Sequence, residues 1–331
     1  MGWLRNRVCA YRQFMQRCSC ERLKLGQGGA AGADLRLVMT LLVRDEADVV
    51  EGNVRFHLDH GVDFIVATDN GSTDGTTEIL EEYAKKGVLH LIREPSRAFD
   101  QQAWVNRMGE IAYSSFSADM IFHADADEIW LPSSGSLKRE LSMRQDVDVL
   151  YAPVRTMLLA DLDGKEKFPI DIMYEVRRPL WKPVHRVMQE VDKRSFLLYR
   201  YPDKVIYRMR KGYLPVTQGN HDIVPVPGES QIKRGISCDI QILHFPIRGL
   251  EQFIKKTVNS GEGLENLNRE KPVDAVKAWH VKRWYGLYKD GRLLAEYRRL
   301  TLSQESADLY ARKGVLAPLD ERKRAVLDYF R

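Results

Sequence analysis

At residues 120–130 the chain reads Met-Ile-Phe-His-Ala-Asp-Ala-Asp-Glu-Ile-Trp. This stretch has the form of a short apolar strand that ends in two carboxylates one residue apart, with a third directly behind them. Alternate residues of an extended chain point the same way, so Asp125 and Asp127 are expected to face one site. Neighbouring carboxylates repel each other, and Mg²⁺ or Mn²⁺ relieves that repulsion while sharing its coordination with substrate phosphates. The pattern predicts such a cation site, and its alternative is a solvated acidic loop after an edge strand.

Strand-like and helix-like segments alternate on the N-terminal side of this stretch. Such alternation is typical of an α/β fold with a mostly parallel sheet and helices on both faces. Ligands of such sheets bind at the carboxyl ends of the strands, where the polar motifs of this chain lie. The predicted strands are 37–43, 64–68, 88–92 and 120–124, and the predicted helices are 47–60, 76–86 and 101–116.

The remaining segments differ in character from this α/β core. Residues 1–34 form a basic N-terminal segment in which an amphipathic helix could pack on the main domain or lie on an anionic membrane. Beyond residue 155 the alternation weakens, with β-like runs at 195–199 and 205–209. From residue 249 the chain is mostly helical and basic, so the predicted segments are 1–34, 35–155, 156–248 and 249–331.

Composition limits the classes of protein to consider. The 331 residues are 44% hydrophobic and 29% charged, which is ordinary for a globular protein. A net charge of +5 gives no case for a nucleic-acid partner. Four cysteines without zinc spacing, no apparent signal peptide and no long apolar run predict a cytoplasmic protein. Peripheral contact with the inner membrane face is a further expectation.

Polar residues also follow the first two predicted strands. The first strand leads into Arg44-Asp45-Glu46, which could hydrogen-bond a base or ribose or simply cap the next helix. The second leads into a tight polar turn, 69–76, where Asp69 directly follows the strand and could hold a nucleobase or ribose. The chain has neither a G-x-x-x-x-G-K-[ST] loop nor a G-x-G-x-x-G motif near the first strand. Their absence argues against P-loop enzymes and dinucleotide dehydrogenases.

Together, the order and spacing of these motifs resemble family 2-like glycosyltransferases with the GT-A fold, in the bacterial variant that carries D-x-D-E. The resemblance covers residues 35–155 well and extends more thinly to 242–256, where His244 to Arg248 resembles an H-[YF]-x-x-R segment. It implies a GT-A-like, Rossmann-like sheet with a mainly helical C-terminal extension. Residues 35–155 would be the nucleotide-sugar-binding half, and residues 156–248 the acceptor-side half.

The resemblance also implies roles for individual residues. Mn²⁺ or Mg²⁺ would be held by Asp127 directly, by Asp125 through water or beside the ribose, and by His244. The general base would be Asp222, Asp171 or Glu175, with His185 and His221 as weaker candidates. The nucleotide-sugar contacts would be Arg44, Glu46, Asp69, Asn70, Asp74, Asp125 and Arg248.

The expected activity is transfer of a sugar from a nucleotide diphosphate donor, with a UDP-sugar favoured, to a glycan or lipid-linked acceptor. Inversion at the sugar carbon and a place in surface polysaccharide or lipopolysaccharide assembly are implied by the resemblance alone. Trp130, among the tryptophans, is the favoured stacking surface for an acceptor sugar, against the alternative of a core residue. A non-catalytic GT-A-like domain that binds a glycan or partner, and a nucleotidyltransferase, are the alternative functions. A dehalogenase-like phosphatase is disfavoured because the D-x-D follows the fourth strand and the chain has no Gly-Asp pair.

Overall fold

In this computed structural model, residues 35–331 cluster as one compact unit. The N-terminal segment 1–34 and the candidate base Asp171 lie outside the described residues. The division of the remaining chain at residues 155 and 248 stays a prediction. The structure describes residues 35–96, 98, 100–160, 173–209, 213–224, 232–270 and 278–331.

Four parallel strands form one side of a seven-stranded sheet, in the order β3-β2-β1-β4, with β3 at its edge. Val43 at the end of β1 is opposite Asp69 of β2, and Leu42 is opposite Asp125 of β4. The register therefore brings the carboxyl ends of three strands to one edge, with a carboxylate at the end of two of them. These strands are β1 Leu37–Val43, β2 Phe64–Asp69, β3 Leu89–Arg93 and β4 Met120–Asp125.

Helices cover both faces of this sheet. Leu37, Met39 and Leu41 of β1 belong to one buried apolar cluster, and Val38 and Leu42 belong to the other. This alternation is what a strand buried on both faces requires. Helix α1 packs in the first cluster and α3 in the second, as predicted. The helices are α1 Val50–Asp59, α2 Thr76–Lys85 and α3 Gln101–Phe116.

Later strands extend the first sheet and build a second one. Strand β9 pairs antiparallel with both β4 and β6, and β6 pairs parallel with β10. The second sheet has the order β12-β8-β7-β11-β5, so that β5, directly after the acidic triplet, pairs with β11, which ends at His244. The strands are β5 Glu128–Pro132, β6 Val149–Ala152, β7 Val154–Leu159, β8 Met173–Val176, β9 Lys204–Arg208, β10 Arg234–Ile236, β11 Ile240–His244 and β12 Leu316–Pro318.

The C-terminal part is mainly helical, as predicted. The predicted fold class, a mostly parallel sheet with helices on both faces and a helical C-terminal extension, is thereby confirmed. The remaining helices are α4 Leu137–Ser142, α5 Val184–Glu190, α6 Leu250–Glu270, α7 Trp279–Lys289, α8 Leu293–Leu300, α9 Gln304–Arg312 and α10 Glu321–Leu327.

Two local expectations were wrong. The run 195–199 contains a 3-10 helix, Phe196–Leu198, because its consecutive apolar residues are all buried rather than alternating between core and solvent. Trp130 is fully buried in the core beside Phe122, so it offers no surface on which a sugar could stack. Within the described ranges, no helix combines the length and apolar character needed to cross a bilayer.

Candidate active site

The acidic turn, residues 125–128, joins β4 to β5 and is held in place by helix α1. The Asn53 side-chain amide donates to the carbonyl oxygens of Ala126 and Glu128, both at 2.9 Å. One helical turn later, Nε2 of His57 accepts the backbone N–H of Trp130 at 3.1 Å. Both side chains are fully buried. A buried amide and imidazole therefore fix the backbone on which the carboxylates are displayed.

A central cluster of six ionisable groups surrounds Asp127. Lys256 Nζ lies 2.6 Å from Asp127 Oδ2, and both Nε2 of His244 and Nη1 of Arg248 lie 3.7 Å from the same oxygen. Burial alone would raise the pKa of Asp127, but Lys256 and Arg248 outweigh it and hold that pKa well below its usual range. Burial lowers the pKa of His244 to about 4, so its imidazole is neutral at pH 7. The members are Glu46, Asp48, Asp127, His244, Arg248 and Lys256.

Arg248 joins the segment after β11 to the start of α1. Its guanidinium is fully buried, donates to Glu46, and contacts Asp48 through Nε at 2.8 Å. The Glu46 carboxylate is also 3.6 Å from Lys256 Nζ. Burial raises the pKa of Glu46 despite these cations. Arg248 and Glu46, both predicted to contact the nucleotide-sugar, are therefore paired with each other in this structure.

A second group lies at the other end of the acidic turn. Lys204, the first residue of β9, donates from Nζ to Asp125 at 2.7 Å and to Glu128 at 2.6 Å. Burial would lower the pKa of this buried ammonium, but the two carboxylates raise it above its usual range. Burial raises the pKa of Glu128 to about 8, against the attraction of Lys204. One ammonium is thus shared by two carboxylates, and Glu128 is the more buried of the two.

A third group links the first two polar motifs. Lys255 Nζ lies 3.4 Å from Asp45 and 3.3 Å from Asp74, and Asn259 donates to Asp45 at 2.6 Å. Asp45 adopts a left-handed backbone conformation with φ of 55° and also accepts the Thr73 N–H at 2.7 Å. Hydrogen bonds from Thr76 and Ala47 outweigh burial and lower the pKa of Asp74. Helix α6 thus reaches the motif after β1 with Lys255 and Lys256, and the motif after β2 with Lys255.

Each of these three groups contains one more carboxylate than cationic side chains. Among the described residues, no set of three or more His, Cys, Asp and Glu side chains is close enough to enclose a metal ion. Asp127 and His244 provide a carboxylate oxygen beside an imidazole, and Nδ1 of His244 is buried without a hydrogen-bond partner in the described structure. This donor set fits a cation that completes its coordination with water and ligand phosphates, rather than one enclosed by protein.

Asp69 and Asn70, at the end of β2, were predicted to contact the nucleotide, and in this structure both are hydrogen-bonded to other protein groups. Both carboxylate oxygens of Asp69 accept hydrogen bonds, from Ser72 and from Thr77, so the side chain stabilises its own turn. The Asn70 amide donates to the Ser96 carbonyl at 2.6 Å. Arg44 is half-buried, and its Nε has no hydrogen-bond partner within the described segments. Nucleotide contacts by Asp69, Asn70 and Arg44 stay predictions.

The candidate bases occupy different environments. Glu175 lies in β8, is buried, and pairs with Lys323 at 2.8 Å on helix α10. Asp222 is partly exposed; its Oδ1 accepts the Tyr151 hydroxyl at 2.6 Å and the Ile223 N–H at 2.9 Å. The adjacent His221 is near enough to Lys204 and Asp125 to respond to their charges, although burial is the main cause that lowers its pKa to about 4. Asp222 therefore directly follows a residue that senses the charges of the acidic turn.

Sequence reasoning missed several contributors to the site. Lys204 is an isolated lysine in an ordinary strand, and Lys256 follows Lys255 on an ordinary helix, so neither is marked by a local motif. Asn53 and His57 did leave a signal: they are polar residues four positions apart, in register with the apolar residues Val50 and Val54 of the same helix. Buried polar side chains at helical spacing require partners, which indicates a structural role.

No protein-family model and no curated protein matches the chain. Solved structures do. A mannosyltransferase from Pyrobaculum calidifontis in complex with GDP-Man and Mn²⁺ shares 13% identity over 97% of this chain and 92% of that chain, with a TM-score of 0.42. Residues 1–349 of TarS from S. aureus with UDP-GlcNAc share 12% identity over 79% of each chain, with a TM-score of 0.39. A glucosyl-3-phosphoglycerate synthase from Mycobacterium tuberculosis, in complex with Mn²⁺, UDP and glucosyl-3-phosphoglycerate, shares 18% identity over 40% of this chain and 49% of that chain, with a TM-score of 0.28. These likenesses are distant.

Proposed function

We propose that this protein is a metal-dependent glycosyltransferase that moves a sugar from a nucleotide diphosphate donor to a hydroxyl of an acceptor. The observation that carries the proposal is the central cluster at the carboxyl ends of β1 and β4. There Asp127 is surrounded by His244, Arg248 and Lys256 within 3.7 Å. Mixed carboxylate and cationic side chains at such a strand edge suit a diphosphate that arrives with a divalent cation.

Asp127 and His244 would hold the ion, with Asp125 at the start of the acidic turn as the further carboxylate. When bound, Mn²⁺ or Mg²⁺ would act as a Lewis acid that stabilises the negative charge of the departing diphosphate. Neutral His244 is suited to this role, because a metal ligand must offer a lone pair rather than a proton. Asn53 and His57 would keep the acidic turn in a fixed geometry before the donor binds.

Lys255 and Lys256 would neutralise charge on the donor. Their side chains are 37% and 32% exposed, whereas the Arg248 side chain is fully buried. The two lysines can therefore reach a ligand, while Arg248 fixes Glu46 and Asp48. Glu46, Asp69, Asn70, Asp74 and Arg44 surround this edge and would contact the base, ribose or sugar, as the resemblance implies.

Asp222 is the general base that this proposal favours. Inverting transfer needs a group that accepts the acceptor hydroxyl proton. Of the two carboxylate candidates in the described residues, Glu175 is buried in an ion pair with Lys323, and Asp222 is 22% exposed. A UDP-sugar donor, a glycan or lipid-linked acceptor, inversion and a place in surface polysaccharide assembly complete the proposal.

A binding domain without turnover is the second candidate. It is favoured by one observation, namely that Asp127, Glu46 and Asp125 already have protein cations as partners. Such a domain would bind a glycan or a protein partner and would not need a donor. The two candidates differ in whether a nucleotide binds together with a metal.

A thermal-shift screen tests the proposed function. UDP, GDP, dTDP and their sugar conjugates are added with and without Mn²⁺, because a specific ligand stabilises the native state by mass action. We expect a metal-dependent shift with one nucleotide, absent in Asp127→Asn and retained in Asp320→Asn, a carboxylate variant in the C-terminal extension. No shift with any nucleotide in either metal condition would reject the transferase and favour the binding domain.

A further inference from the structure

Helix α5 and the residues before it expose three large apolar side chains. Trp181, Val184 and Met188 are 59%, 46% and 38% exposed, and Trp181 is the most exposed large apolar side chain of the described structure. Val184 and Met188 are four positions apart and lie on one side of the helix, and Trp181 lies three residues before its first residue. We call these three residues the Trp181 face. The helix is anchored by Val187 and Val191, which are buried in the main core.

Basic side chains outnumber acidic ones around the Trp181 face. Residues 177–190 include four basic side chains and one acidic one, Glu190. All four basic side chains are exposed, and Lys182 is paired with Glu190 at the end of helix α5. The basic residues are Arg177, Arg178, Lys182 and Arg186.

We propose that the Trp181 face docks on the surface of an anionic lipid bilayer. A short amphipathic segment with tryptophan on one side and arginine or lysine around it matches the headgroup boundary, where the apolar side chains enter and the cations meet lipid phosphates. Tryptophan suits this boundary because its ring is apolar and its N–H remains hydrogen-bonded. The positive surroundings favour this occupant over a neutral apolar protein surface.

The position of this face relates it to the candidate active site. Leu180, directly before Trp181, exchanges backbone hydrogen bonds with the chain at Leu198 and Arg200, at 2.8 and 2.9 Å. Tyr201, the next residue, packs edge-on against His244, with ring centroids 4.9 Å apart. The proposed membrane contact and the proposed metal ligand are thus joined through one short, hydrogen-bonded segment. A bilayer under the Trp181 face would place the site close to acceptors embedded in lipid, a consequence that rests on the proposed function.

Vesicle co-sedimentation of the full chain tests the docking without any nucleotide, so its outcome is independent of the transferase proposal. The vesicles contain phosphatidylcholine alone or phosphatidylcholine mixed with phosphatidylglycerol. The test variant is Trp181→Ser with Val184→Ser, and the charge variant is Arg177→Gln with Arg178→Gln. The matched control is Tyr113→Ser with Leu309→Ser, two exposed apolar residues on other helices that are 38% and 41% exposed.

We expect the wild type and the control to bind vesicles that contain phosphatidylglycerol, and added salt to weaken the binding. The Trp181→Ser, Val184→Ser variant should bind these vesicles about tenfold or more weakly than the wild type. Each arginine removed in the charge variant should weaken vesicle binding by about fivefold. Circular dichroism of each variant shows that the fold is retained. The proposal is overturned if the wild type does not bind anionic vesicles, or if the serine variant of the Trp181 face binds them as well as the control variant does. Self-association that Trp181→Ser abolishes, without vesicle binding, would overturn it in favour of a second copy.

Discussion

The imidazole of His57 accepts the backbone N–H of Trp130 at 3.1 Å, and through this bond helix α1 holds the strand that follows the acidic turn. Because Nε2 is the acceptor, the ring proton is on Nδ1, which donates to the Asn53 carbonyl at 2.8 Å. These two hydrogen bonds together require a neutral His57 imidazole. His57 therefore helps to hold the backbone that carries Asp125 and Asp127 only while it keeps its position and stays neutral.

Replacing Asn53 by alanine should destabilise the protein and loosen the acidic turn. Two buried carbonyl oxygens, of Ala126 and Glu128, would lose their donor. We expect a loss of about 2–4 kcal/mol in the free energy of unfolding, since each unsatisfied buried group costs about 1–3 kcal/mol. Urea denaturation measures this, with Glu51→Ala on the exposed side of the same helix as the control. Equal stability of the two variants would contradict the assigned role.

Acid should destabilise the protein through its buried neutral histidines. Burial lowers the pKa of His57 and of His123 from 6.5 to about 3 in the folded state. The stability that depends on the neutral rings is present above pH 6.5 and is lost as the pH falls toward 3, because the unfolded chain binds the protons first. From pH 7 to about pH 5 the expected loss is about 2 kcal/mol per histidine.

Urea denaturation at the two pH values measures this loss of stability. His57→Gln should remove the part of the loss that comes from His57. The glutamine amide can still serve as a hydrogen-bonding group but does not titrate. His185→Gln is the matched control, because His185 is exposed on α5. An unchanged pH dependence in His57→Gln would show that other groups control acid unfolding.

Lys204→Met should be destabilising, and a second substitution should repair it. The change leaves the buried Glu128 without its ammonium partner at 2.6 Å, and breaking a buried pair costs about 3 kcal/mol. In Lys204→Met with Glu128→Gln, the unpaired charge is gone and the amide oxygen can still accept the Asp125 N–H. We expect the double variant to recover most of the lost stability in a double-mutant cycle. If the two effects simply add, the ion pair is not the cause.

Lys256→Met should strengthen divalent-metal binding in the absence of nucleotide. Lys256 Nζ lies 2.6 Å from the Asp127 oxygen that would bind the ion, so its positive charge opposes a second cation. Removing it should tighten Mn²⁺ binding by about tenfold, a modest effect on the scale of close charge pairs. Electron paramagnetic resonance of free Mn²⁺ measures this directly. Lys255→Met is the control, because its contacts are with Asp45 and Asp74; equal effects of both would indicate bulk charge.

Much of the architecture was predictable from local patterns. The boundaries of β1 and α3 agree with their predicted ranges, and those of β2, β3, β4 and α2 differ by one residue at one or both ends. Each has a continuous apolar run or a helical stripe bounded by turn residues, and such signals are contained within about a dozen neighbouring residues. The β-like reading of 195–199 failed because a short run of buried apolar residues has the same composition in either conformation.

The sequence by itself determined that carboxylates end the first strands and that these ends lie at one edge of a parallel sheet. Only the tertiary structure decided which cations meet them. Lys204 is 79 positions from Asp125, and Lys256 is 129 positions from Asp127. Neither lysine differs locally from a solvated one, because its partner is set by the packing of β9 and α6 against the sheet. Strand periodicity is a local property, whereas the pairing of buried charges depends on how distant segments come together.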